Sequence, residues 1–137
     1  MRRPVHFLFL AAVAGLSACA SSPVQPRTWQ TVTLGPGHRT LAARLRIGDG
    51  LRVVLPRPLG GDGFNWQIVS NSDDILRQLT PVYPTQGAPA PGPDGGLTVS
   101  FSAVDEGASV LRFAALRPNA RLSEATDFYE VDVTSKP

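Results

Sequence analysis

Leu51-Arg52-Val53-Val54-Leu55, then Leu59-Gly60-Gly61-Asp62-Gly63, then Phe64-Asn65-Trp66-Gln67-Ile68: two alternating runs flank a connection with three glycines and one carboxylate. In the first run Leu51, Val53 and Leu55 point one way, which is strand periodicity. Pro56 and Pro58 stop it, because proline cannot donate to a ladder. In the second run Phe64, Trp66 and Ile68 share one face opposite Asn65 and Gln67. A glycine-rich tip between two such strands reads either as a binding loop or as a long hairpin connection with its Trp in the core.

The same periodicity recurs outward. Gln30–Leu34 and Thr40–Ile47 precede Leu51, separated by Gly35-Pro36-Gly37 and Gly48-Asp49-Gly50 turns. Beyond Ile68, Ser72 is placed to cap one helical turn through Leu76, and Leu79, Pro81 and Tyr83 read as an edge strand. Pro84–Gly96 is a long Pro/Gly loop. Leu97, Val99 and Phe101 alternate with Thr98 and Ser100. Val110–Leu116 and Phe128–Val133 complete the set. About seven short strands, frequent turns and no long helix predict an all-β, antiparallel, immunoglobulin-like β-sandwich. Its alternate connections, Leu59–Gly63, Gly87–Gly96 and Arg117–Ala125, then fall at one end.

The N-terminus is of another kind. Arg2 and Arg3 precede the apolar run Phe7–Gly15, which is too short to span a bilayer, and small residues follow. Residues 1–19 are expected to be a signal peptide. It ends in Leu16-Ser17-Ala18-Cys19, which resembles the bacterial lipobox, and the chain's one cysteine stands at that point. The resemblance implies acylation at Cys19 and a bacterial cell-envelope location, anchored by lipid. Ala20, in place of Asp, resembles outer-membrane sorting, with the domain facing the periplasm. Residues 20–28 are rich in Ser and Pro and are expected to form a flexible tether, with the domain at 29–137. No disulfide is possible with one cysteine.

Charge and chemistry narrow the classes. The whole chain carries 13 basic and 11 acidic side chains, for a net charge of +2. Loss of Arg2 and Arg3 with the signal brings the remainder to neutrality, so composition gives no nucleic-acid footprint. His38 is the one histidine beyond the signal and lies beside a Pro-Gly turn. No thiol, metal-ligand cluster or phosphate-binding glycine motif remains for an enzyme. The expectation is a non-enzymatic, monomeric binding domain without cofactors.

From about Thr40 to Val133 the chain resembles the chagasin family, immunoglobulin-like inhibitors of papain-like cysteine proteases. The family's Gly-Asp/Glu turn and alternating strand match Gly48-Asp49-Gly50-Leu51-Arg52-Val53. Its first loop, Asn-Pro-Thr-Thr-Gly-Tyr/Phe-x-Trp, is represented by Gly63-Phe64-Asn65-Trp66, with Leu59-Gly60-Gly61-Asp62 replacing the first four positions. Its glycine-rich second loop matches Gly92-Pro93-Asp94-Gly95-Gly96 before Phe101. A later glycine matches Gly107 in Asp105-Glu106-Gly107. Arg117-Pro118-Asn119 matches its Arg-Pro-Trp without the Trp. The resemblance implies a papain-like protease as partner and reversible, non-covalent binding. Gly61, Asp62, Gly63, Phe64, Gly95, Gly96, Arg117 and Pro118 would be the protease-binding residues. The alternative is a non-inhibitory envelope interaction or assembly module on the same fold.

Cys19→Ser is expected to abolish acylation and yield an uncleaved precursor or a soluble product. Radioactive palmitate labelling of cells checks this, and undiminished labelling of the variant would refute the lipobox reading.

Overall fold

A computed structural model describes residues 25–60, 63–80 and 96–137. Eight strands form two four-stranded sheets packed face to face. They are β1 (Trp29–Thr33), β2 (Thr40–Arg46), β3 (Gly50–Leu55), β4 (Asn65–Ser70), β5 (Leu76–Gln78), β6 (Leu97–Ala103), β7 (Gly107–Leu116) and β8 (Phe128–Lys136). One sheet has the order β1-β3-β6-β5 and the other β2-β8-β7-β4. The expected immunoglobulin-like sandwich is therefore what the chain adopts.

Alternation places the core. In β3, Leu51, Val53 and Leu55 are buried, and in β6, Val99 and Phe101 face the same interior. From the other sheet Leu111, Phe113, Tyr129, Val131 and Val133 close over them. β8 follows the period-2 pattern along its length, with Phe128 and Asp132 exposed. Trp66 is 1% exposed. Its ring lies 4.9 Å from that of Tyr129, and its Nε1 donates to the Pro56 carbonyl at 2.6 Å. The indole thus satisfies its one polar atom while filling the interior.

Two pairings are parallel, β1 with β3 and β2 with β8, whereas the other four are antiparallel. The cause is the excursion of β2. The chain leaves β1, crosses to the opposite sheet as β2, and returns to lie beside β1 as β3. Two parallel neighbours need such a crossover, and here a strand supplies it.

Three local expectations change. Ser72 starts a single turn, its carbonyl accepting from the N–H groups of Ile75 and Leu76, and Leu76 begins β5 instead of ending a helical turn. The edge strand is thus Leu76–Gln78, ahead of Leu79, and Pro81–Gly95 lies outside the described residues. The N-terminal tether is held at its far end. Arg27 N–H donates to the Gly48 carbonyl at 3.0 Å, and Thr28 Oγ1 donates to Asp49 at 2.6 Å. The Thr28 bond, with a second from the Arg46 N–H, holds the pKa of Asp49 below its ordinary value. Residues 1–24, with the expected signal peptide, Cys19 and most of the expected tether, lie outside the described residues.

Trp66→Ala is expected to destabilise the domain by about 3–5 kcal/mol, through lost burial and a cavity between the sheets. Urea denaturation followed by circular dichroism checks this. An unmoved midpoint would contradict the packing.

Candidate functional site

The loops gather at one end because of register. Leu55, the last residue of β3, pairs with Leu97, the first of β6. Gly96 therefore enters beside the start of the 56–64 loop. In the other sheet Asn65 pairs with Leu116, so the 56–64 loop returns where the 117–127 loop departs. The 34–39 turn joins them, since Leu34 N–H donates to Val54 and Glu130 N–H donates to Arg39.

The first and third loops touch. The Arg117 guanidinium carbon lies 4.9 Å from the centroid of the Phe64 ring, a cation–π arrangement. Thr126 Oγ1 donates to the Leu59 carbonyl at 2.6 Å. Gly60 lies beneath Phe64: a β-carbon there would come within 2.7 Å of the ring and 3.1 Å of Thr126 Cγ2, at φ +106°. Only glycine fits this backbone and this space together. Gly63 differs. Its φ is +89°, yet nothing stands within 4 Å of the point a β-carbon would occupy. Its demand is conformational, and the space around it is open.

The third loop is stiffened from below. Asp127 is nearly buried, with a side chain 3% exposed, while that of its ion-pair partner Arg39 is 50% exposed. Asp127 also accepts from the Phe128 N–H at 3.0 Å. Arg39 sits 5.5 Å above the Tyr129 ring. Burial, reinforced by the Asp127 charge and opposed by Arg39, raises the pKa of Tyr129. Above this base, Arg121 N–H donates to the Glu124 carboxylate at 2.8 Å across the short 3-10 turn Leu122–Glu124. Asn119 adopts the left-handed conformation, φ 61°, which asparagine tolerates better than most side chains.

Of the residues expected to bind, Gly63, Phe64, Gly96, Arg117 and Pro118 are at this end, and Gly63, Arg117 and Pro118 are exposed. Gly61, Asp62 and Gly95 lie outside the described residues. Arg39, Thr126 and Asp127 carry the loop geometry without having been singled out in the sequence. Asp127 stands before an alternating strand, but no local pattern pairs it with a residue 88 positions earlier. Among the described residues no cluster of three or more His, Cys, Asp or Glu side chains could hold a metal.

No protein-family model matches the sequence, and no curated protein matches it significantly. Solved structures do match. The cysteine protease inhibitor EhICP2 from Entamoeba histolytica superposes with a TM-score of 0.59 at 14% identity, over 81% of this chain and 99% of its own. Amebosin matches at a TM-score of 0.53 and 16% identity, over 81% of this chain and 99% of its own. PbICP-C, solved in complex with falcipain-2, matches at 0.53 and 16%, over 78% of this chain and 99% of its own. The fold is chagasin-like. At these identities the likeness is one of fold, and it spans nearly the whole of each matched chain.

Asp127→Ala removes the acceptor for both Arg39 and the Phe128 N–H. It is expected to cost about 1.5–3 kcal/mol, the range for hydrogen bonds to charged groups. Chemical denaturation measures the loss, and an unchanged stability would show that the third loop does not depend on this pair.

Proposed function

We propose that the chain is a reversible, non-covalent inhibitor of papain-like cysteine proteases, anchored by lipid at Cys19 and facing the bacterial periplasm. The observation that carries this reading is the end of the sandwich where Arg117 covers Phe64, on a fold shared with cysteine protease inhibitors. Inhibition would be occlusion. The 56–64 loop, with Gly61, Asp62 and Gly63 at its tip, enters the protease cleft, and the loops bearing Gly95-Gly96 and Arg117-Pro118 flank it. Its grip needs no nucleophile. Cross-ties such as Thr126 to Leu59 lower the ordering cost of binding, because the loops are held before the partner arrives.

One observation favours the alternative of a non-inhibitory envelope module. Asn119 stands where chagasin-like inhibitors carry the Trp of Arg-Pro-Trp, and its left-handed backbone disfavours a larger side chain by about 1–2 kcal/mol. On the inhibitor reading, the third loop therefore binds through Arg117 and Pro118 without an aromatic anchor.

Residues 20–137, titrated against papain and a cathepsin from nanomolar to micromolar, are expected to inhibit reversibly. Arg117→Ala should weaken inhibition by about 1–2 kcal/mol, roughly five- to thirtyfold, as for a well-placed interface arginine. Gly63→Arg should abolish it, with circular dichroism to confirm the fold. Absence of inhibition at every concentration would remove the inhibitor reading and leave the envelope module.

A further inference from the structure

Large apolar side chains stand in solvent at the loop end. Among the exposed large hydrophobics of the described residues, Leu59 at 53% and Leu122 at 49% are the most exposed. Leu59 belongs to the first loop and Leu122 to the 3-10 turn of the third. Neither serves the core. Leu59 lies outside the cluster packed between the sheets, and the Leu122–Glu124 turn buries none of its residues. A single exposed leucine is ordinary on a protein surface, so their placement is what matters. Thr126 Oγ1 donates to the Leu59 carbonyl at 2.6 Å, and the N–H of Ala125 donates to the Leu122 carbonyl at 3.2 Å. Two hydrogen bonds and the 125–126 peptide link thus connect the backbones that carry the leucines. Gly60, next after Leu59, packs on the half-buried Phe64 ring, so the seam between the two loops carries two leucines and an aromatic. The Arg121 N–H bond to Glu124 closes the turn that presents Leu122. Arg57, Arg117, Arg121 and Glu124 are the exposed charged side chains described on these loops, and they supply the polar rim that interfaces carry around an apolar centre.

We propose, resting on the inhibitor reading of these same loops, that Leu59 and Leu122 are the apolar anchor on the third-loop side, and that the protease they fit presents an apolar shoulder beside its catalytic cleft. The tie through Thr126 sets that side. As the tip of the first loop enters the cleft, Leu59 at its foot and Leu122 on its flank close over the shoulder and exclude water. Aliphatic burial takes the place of the aromatic that Asn119 does not provide, and its left-handed backbone makes that position a poor one for a larger side chain. Tied backbones present both leucines with little left to order on binding. The contact also selects among proteases. A polar or acidic shoulder would have its own groups left unpaired against two leucines, which costs more than a missing attraction.

The test measures inhibition constants of residues 20–137 and their variants against whichever of papain and a cathepsin the parent domain inhibits more tightly. Leu59→Ala and Leu122→Ala should each weaken inhibition about five- to tenfold, and the double variant about thirtyfold or more. Leu122→Gln should lose as much as Leu122→Ala, whereas Leu122→Met should stay within about twofold, because the shoulder reads apolar surface and not shape alone. Ile47→Ala, at the opposite end and 41% exposed, should change inhibition less than about twofold. Urea midpoints of the free variants should match the parent, since neither leucine is packed in the core. Calorimetric titration over a range of temperatures should show a less negative heat-capacity change of binding for the double variant, the mark of apolar area no longer buried. Inhibition by the parent domain with both leucine variants equal to it, or an equal loss in Ile47→Ala, would overturn this proposal and leave the inhibitor reading standing. Absence of inhibition by the parent domain would overturn both.

Discussion

The Trp66 indole is the constraint on which the two sheets and the loop end both depend. It fills the space between the layers against Tyr129, and its Nε1 reaches the Pro56 carbonyl just beyond the end of β3. That bond joins the departing and returning limbs of the 56–64 connection. An indole can be fully buried only if its N–H finds an acceptor, and the carbonyl of a strand-terminating proline is free to serve. The first loop is thus pinned at its base by the same side chain that completes the core.

From this base the order spreads outward with declining strength. Tyr129 connects Trp66 to Arg39, and Arg39 connects to Asp127 at the foot of the third loop. Asp127 is nearly buried, so its ion pair and hydrogen bond offset the desolvation of a carboxylate. Farther out, the Arg117–Phe64 contact is worth only about 0.5–1 kcal/mol at an exposed site. The loop tips can therefore adjust to a partner while their feet cannot. Graded stiffness of this kind suits recognition by loops on a rigid scaffold.

Strands with a buried face were legible because period-2 alternation is a local signal. β3, β4, β6, β7 and β8 all carried it, and the burial of Trp66 followed from its sharing a face with Phe64 and Ile68. β5 was not legible in place: three residues are too few to establish a period, and Ser72 mimicked a helix cap. The parallel pairings were invisible for another reason. They depend on which sheet β2 joins, a choice made by packing between distant segments. The site divided the same way. The convergence of the first and third loops followed from strand order, whereas the Arg39–Asp127 pair spans 88 residues and has no local signature. Asn119 showed the absence of an aromatic but not its left-handed backbone, which depends on how the turn closes.

The two ends of the sandwich are built by different rules. At the loop end, cations are occupied: Arg39 by Asp127, Arg117 by Phe64. At the root end, Arg44, Arg46 and Lys136 are left open to solvent on one sheet face, and Arg46 stands directly opposite Lys136, where like charges repel and lower stability slightly. Carboxylates of the same end offset that repulsion: Asp49 accepts from Thr28 and the Arg46 N–H, and the pairing of Gly107 with Ser135 brings the Asp105-Glu106 turn alongside Lys136. β3 runs from one end to the other as a stiff, buried strut, so orienting the root end fixes where the loops point.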